Sequence, residues 1–211
     1  MKKNNLYLVI GLGRFGSAVA TALAAQGMQV LAIDSNMERV EEHRRALTDV
    51  VCGDAMDHDV LLQIGAGDFD VAIVTIGEDI KASGVITMQL KDMGVKNVIV
   101  KAYDDFHGRM LTKLGADKVI FPERDMGKRI AHNLVSEKIM DFIELSPDYS
   151  LVEMRPKPDW IGKTLKELNL RQTQRINVVA VRSGESVNAM PDMNTCIGEG
   201  DVMLVVSQNE K

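Results

Sequence analysis

Aromatic residues are scarce in this chain: Phe 5, Tyr 3 and Trp 1 among 211 residues, or 4%. With 45% of residues hydrophobic, the core must be aliphatic, and the 13 Met read as gap-fillers in it rather than as part of a cofactor site. Cysteine is equally sparse. Cys52 and Cys196 stand far apart and match neither a C-x-x-C motif nor a disulfide framework, a usage that suits two packed thiols in a reducing cytosol. No apolar run approaches the roughly 18 residues needed to cross a bilayer, and no signal peptide precedes Leu6. Membrane association is therefore expected to run through a partner, with the protein cytoplasmic. Excess positive charge is missing as well. A net charge of -5 and a pI near 5.4 lack the clustered Lys and Arg of a nucleic-acid-binding surface.

Reactive constellations are absent too. There is no H-E-x-x-H and no G-x-S-x-G, and Gly162-Lys-Thr164 ends like a P-loop but has Lys157 where the first glycine is required. Tyr7, Tyr103 and Tyr149 are followed, at the spacing of a Tyr-x-x-x-Lys pair, by Gly11, His107 and Glu153. His43, His58, His107 and His132 are scattered and read as surface or satisfied histidines, with His107 having the best claim on function. No general acid and base pair stands out, so no enzyme activity is expected.

What is present is a glycine loop. Leu6-Tyr-Leu-Val-Ile-Gly-Leu-Gly-Arg-Phe-Gly16 reads as a strand, a turn and a helix N-terminus. Gly11, Gly13 and Gly16 fit G-x-G-x-x-G: a tight turn, an open approach for a pyrophosphate, and close packing of helix on strand. The helix N-terminus adds unpaired N–H groups and about half a positive charge. A second strand, Val30–Ile33, runs into Asp34, at about the 20-residue offset of the carboxylate that binds a ribose diol. Strand, helix, strand and acid in register predict binding of an adenine nucleotide or dinucleotide.

Further along, Ser35 to Leu47 predicts a capped helix and Asp49–Cys52 a third strand. Asp54 and Ala55 follow at its ligand-side end, where Asp54 fits either an adenosine contact or a turn cap. The strand Asp70–Thr75 brings Thr75, Ile76 and Gly77 beside the glycine loop, and the strand Asn97–Lys101 brings Lys101 to the same edge. With Lys118–Phe121, six strands alternate with helices, predicting a Rossmann-like, doubly wound α/β sheet of order 3-2-1-4-5-6. A long helix is expected over 125–143, its Met126, Ile130, Leu134, Ile139 and Phe142 forming an apolar stripe that either covers the sheet or crosses to another subunit, the crossover being the favoured reading. Pro147, Pro156 and Pro158 mark a boundary. Residues 1–124 are thus expected to form the nucleotide domain, 125–143 the crossover helix and 149–211 a small α+β domain.

These residues resemble the RCK or KTN family, cytosolic regulators of Trk- and Ktr-type potassium uptake systems. The likeness rests on Val9 to Gly16 with Arg14 and Phe15 inside the loop, Asp34, Gly53-Asp-Ala55, Leu114-Gly-Ala-Asp117, and Phe121-Pro-Glu-Arg-Asp-Met-Gly127. The segment Ser150 to Ser207 resembles that family's C-terminal domain. The resemblance implies ATP, ADP or NAD(H) at Gly11, Gly13, Arg14, Phe15, Gly16, Asp34, Ser35, Asp54, Ala55, Thr75, Ile76, Gly77 and Lys101, with Arg14 reaching the terminal phosphates of ATP. It implies Mg²⁺ or Ca²⁺ at Glu123 in a dimer interface, although a helix cap also fits Glu123. It further implies cyclic di-AMP at Arg171, Asn177 and Val178, dimers within an octameric ring, and docking on a membrane-embedded potassium channel subunit. Phe121 departs from relatives that carry histidine there. Two other readings fit the nucleotide domain: a small NAD-dependent oxidoreductase, or a regulator of another cation antiporter or channel.

Overall fold

The computed structural model describes residues 5–135, 139–146 and 148–208, and the chain divides into two compact units between Pro122 and Glu123. In the first unit strands and helices alternate. β1 (Leu6–Ile10), β2 (Gln29–Asp34), β3 (Asp49–Cys52), β4 (Val71–Val74), β5 (Asn97–Lys101) and β6 (Lys118–Ile120) form one parallel sheet of order β3-β2-β1-β4-β5-β6. The expected order is thus the observed one. Side chains of successive strand residues point to opposite faces. Leu8, Ile10, Ala72, Val74, Val98 and Val100 pack into one core, and Val9, Val30, Ala32 and Ile73 into another. Burial on both faces explains why these strands read as continuous aliphatic runs rather than alternating ones.

The helices are α1 (Arg14–Ala25), α2 (Met37–His43), α3 (His58–Gln63), α4 (Ile80–Asp92) and α5 (Asp105–Lys113). Asn36, Asp57, Asp79 and Asp104 cap the last four, each side chain accepting a backbone N–H of the first turn. α2 is shorter than the segment expected from Ser35 to Leu47, and its cap is Asn36.

The second unit starts with α6 (Pro122–Val135), in which Pro122 occupies the first turn, where its missing N–H costs no bond. The expected crossover helix over 125–143 is corrected here. β7 (Ile139–Ser146) is a strand, paired antiparallel with β8 (Tyr149–Met154) through Phe142–Val152 and Ile143–Leu151. Ile139 and Phe142 therefore leave the apolar stripe of α6, while Met126, Ile130 and Leu134 stay on it and are exposed. Ile-Met-Asp-Phe-Ile-Glu-Leu satisfies a helical stripe and a strand equally well by spacing, and pairing with β8 decides between them.

Two short helices, α7 (Leu165–Leu168) and α8 (Leu170–Thr173), join at Asn169 in the left-handed region, and β9 (Ile176–Ser183), β10 (Ser186–Asn188) and β11 (Val202–Gln208) complete an antiparallel sheet of order β10-β9-β11-β8-β7. Its core holds Val152, Met154, Trp160, Val181, Ile197, Met203 and Val205. α8 and β7 were not anticipated.

His107 joins α4 to α5. It is 0% exposed; its Nδ1 accepts the Tyr103 N–H at 3.2 Å, so Nε2 carries the proton and donates to Ser83 Oγ at 2.8 Å. The Ser83 hydroxyl in turn donates to the Ile80 carbonyl at 3.1 Å, and both ring nitrogens are satisfied. Burial pushes the His107 pKa down from 6.5, partly opposed by the Asp104 carboxylate. The unfolded chain therefore takes up a proton that the folded one resists. This contribution to stability is complete above pH 6.5 and is lost as the pH falls below it. The melting temperature should accordingly drop between about pH 7.5 and about pH 5.5. His107→Gln, less stable by about 1–3 kcal/mol from the disrupted network, should flatten that dependence. Thermal melts across this range check it, and an equally steep profile in the variant would assign the acid sensitivity to another group.

Candidate functional site

A cleft of about 310 Å³ opens at the carboxyl ends of β1, β2, β4 and β5, and it is lined by Gly11, Gly13, Asp34, Ser35, Arg39, Asp54, Ala55, Thr75, Ile76, Gly77, Glu78 and Lys101, among others. The strand order reverses between β1 and β4, so the loops there diverge and leave a crevice. Its volume is at the small end of the roughly 300–1,000 Å³ typical of ligand pockets. Arg14, Phe15 and Gly16 do not line the cleft: Arg14 is exposed at the start of α1, Phe15 is half-buried and Gly16 is buried.

The three loop glycines have different physical tasks. Gly11 sits at φ +96°, a conformation that favours glycine, with its N–H donated to the Ile33 carbonyl at 2.8 Å. Gly16 faces the Gly11 carbonyl oxygen and the Thr75 hydroxyl so closely that a Cβ would overlap both. Thr75 Oγ1 lies 2.8 Å from the Gly11 carbonyl and 3.0 Å from that of Ile10, donating across the β1–β4 junction. Gly13 differs. Its φ of -65° suits any residue, and a Cβ there would meet nothing within 4 Å. The fold itself does not require glycine at 13, and the approach to the backbone there is open. α1 also begins with no side-chain cap and no acid in its first turn, leaving its N–H groups to an anion.

Asp34 is 6% exposed. Its Oδ2 accepts the Leu12 N–H at 2.6 Å and its Oδ1 the Asn36 N–H at 2.8 Å, with Arg39 Nη1 at 3.4 Å from Oδ2. Asp54 lines the cleft, and its Oδ1 accepts the Met56 N–H at 2.9 Å in a turn, the capping role that its sequence allowed. Lys101 reaches the cleft with its aliphatic stem lying across Gly77. Arg39 and Glu78 were missed by sequence reasoning. Arg39 had a signal, a cation one helical turn into the capped helix that follows Asp34; Glu78 had none, because nothing local tells a cleft-facing acid from a solvated one.

Elsewhere, Arg171, Asn177 and Val178 come together in a pocket of about 510 Å³, where Arg171 Nη2 donates to Asn177 Oδ1 at 2.6 Å. Glu123 lies in the first turn of α6. Among the described residues no group of three His, Cys, Asp or Glu side chains could hold a metal. The described residues of one chain thus present no such three-residue donor set for a divalent cation, and among them Glu123 would supply only part of a shared one. Among the described residues no helix is long and apolar enough to cross a membrane.

Residues 7–122 match the TrkA-N domain, and residues 150–210 match the TrkA-C domain. The chain belongs to the TrkA-N/TrkA-C family of RCK proteins. It is similar to the Ktr system potassium uptake protein C of Bacillus subtilis (strain 168), with 42% identity over 206 residues, 98% of this chain and 92% of that one. It is also similar to the Ktr system potassium uptake protein A of Vibrio alginolyticus, with 36% identity over 205 residues, 97% and 93% of the two chains. In fold it resembles the solved GsuK channel bound to NAD, at a TM-score of 0.69 and 17% identity. That match covers 99% of this chain but 38% of the channel chain, and it shows the RCK fold alone.

The glycine geometry separates folding from binding. Gly13→Ala should melt within about 1 kcal/mol of the parent, whereas Gly16→Ala should lose several, because a backbone carbonyl cannot yield to its Cβ. Urea unfolding of both variants measures the difference. Equal losses would mean that the loop is not held as described.

Proposed function

We propose that this RCK protein is a nucleotide-sensing regulatory subunit of a potassium uptake system. The observation that carries the reading is the uncapped start of α1 facing the open side of Gly13, beside a buried Asp34. ATP, ADP and NAD(H) share the adenosine and phosphates that such a cleft accommodates. The similarity to Ktr system potassium uptake proteins supports a membrane-embedded, Trk- or Ktr-type potassium channel subunit as partner. The subunit then sits on the cytosolic face of the membrane as a homo-oligomer, dimers closing into an octameric ring. Signalling works by differential affinity: a nucleotide that binds one ring geometry better than another shifts the assembly towards it. The pocket around Arg171, Asn177 and Val178 has the volume and the guanidinium for a second, anionic ligand, for which cyclic di-AMP is the proposal.

Arg14 is the first residue of α1, exposed, and without an ion-pair partner among the described residues. It is therefore available to the most anionic end of a ligand. Arg14→Ala should weaken ATP by about tenfold and ADP or NADH by less, since a charge-assisted bond to a third phosphate is lost. Calorimetric titration with the three ligands decides the matter; equal losses for all three would make Arg14 a general support of the loop.

Glu123 is proposed to contribute one carboxylate to an Mg²⁺ or Ca²⁺ site completed by a second subunit. Facing triphosphates need a cation between them, and linkage makes the coupling reciprocal. Glu123→Gln keeps the shape of the side chain but removes its charge. Cation binding in the presence of ATP should then be abolished. Undiminished ATP-dependent cation binding would return Glu123 to a helix-capping role.

A further inference from the structure

Asp34 has fewer vacant acceptor positions than a ribose needs. A carboxylate offers about four lone-pair positions. The Leu12 N–H takes one at 2.6 Å, the Asn36 N–H another at 2.8 Å, and Arg39 Nη1 approaches a third at 3.4 Å. A ribose diol brings two O–H donors and finds a single position left. One of the three existing contacts must yield.

The two backbone contacts hold structure in place, since Leu12 belongs to the glycine loop and Asn36 caps α2. Losing either would leave a backbone N–H without its partner. The Arg39 contact is the longest of the three, and its side chain is 51% exposed, the kind of ion pair that contributes little. It is the contact that gives way. The backbone of Arg39 stays where it is, because Asn36 Oδ1 accepts its N–H at 3.4 Å and His43 Nδ1 donates to its carbonyl at 2.8 Å. The side chain alone moves. It already lines the cleft beside Asp34 and Ser35, at the end where a ribose on Asp34 would place the base. A displaced guanidinium there finds a flat aromatic face, on which it stacks well.

We propose that Arg39 is a ligand-responsive clamp: it shares Asp34 before a nucleotide enters, is released by the ribose diol, and closes over the base. The clamp rests on the nucleotide reading given above and adds to it a specificity-determining residue. A base contact is indifferent to the number of phosphates, which distinguishes Arg39 from Arg14.

The test is titration of the full chain and of Arg39→Ala with ATP, ADP, NADH and 2′-deoxy-ATP. Loss of the base contact should weaken ATP, ADP and NADH by one common factor of about 3- to 30-fold. The factor should be smaller for 2′-deoxy-ATP, whose single hydroxyl can use the vacant position and leave Arg39 in place. The ligand-free variant should melt like the parent. Unchanged or tighter ATP binding overturns the clamp, because the arginine would then merely compete with the ribose. A factor that grows with phosphate number overturns it in favour of general charge attraction, and an equal factor for 2′-deoxy-ATP overturns release by the diol. Should the parent bind none of the four ligands, the nucleotide reading itself fails, an outcome distinct from any difference between parent and variant.

Discussion

The close approach of α1 to the β1–β4 junction is the constraint on which the rest depends. At Gly16 the helix comes so near the Gly11 carbonyl and the Thr75 hydroxyl that no side chain fits, and Thr75 donates to the β1 end of the same loop. This contact aims the first turn of α1 at the place where the sheet reverses its order. Without it the helix dipole and the unpaired N–H groups would point at solvent. A turn, a helix and two strands thus come to frame one cleft through a single close approach at Gly16.

Charge in the cleft favours the backbone as the phosphate ligand. Asp34, Asp54 and Glu78 line it against Arg39 and Lys101, so formal negative charges outnumber positive ones. Attraction for an anion therefore has to come from oriented N–H groups, with Lys101 and the nearby Arg14 adding to it. Asp34 braces the loop and faces the cleft at once: its carboxylate accepts the Leu12 N–H of the glycine loop and also lines the cleft. A ligand that uses Asp34 therefore acts on a group that also holds the loop in position.

The second unit follows different physics. Its five-stranded antiparallel sheet is small, and Trp160 with aliphatic and Met side chains supplies most of what it buries. So little core gives modest stability alone. The exposed Met126, Ile130 and Leu134 on α6 are consistent with further burial in an assembly.

Local spacing determined a great deal by itself. The strand order, the glycine loop, Asp34 and the ligand-side positions of Asp54, Thr75, Gly77 and Lys101 could all be read from the chain, because in a parallel α/β sheet each motif follows the strand that places it. Tertiary structure decided what spacing leaves degenerate. Ile139 to Ser146 fits helix or strand, and pairing with β8 makes it a strand. His107 lies near the ligand-side edge in sequence, yet Ser83 and Tyr103, brought in from α4 and the loop after β5, satisfy its ring in the interior. Arg39 is marked in the sequence only by its place in the capped helix after Asp34, and Glu78 carries no mark that separates it from the solvated charges around it. Their role comes from the direction in which a helix and a loop turn at the sheet edge, and that direction is set by packing across the whole domain rather than by any neighbour in the chain.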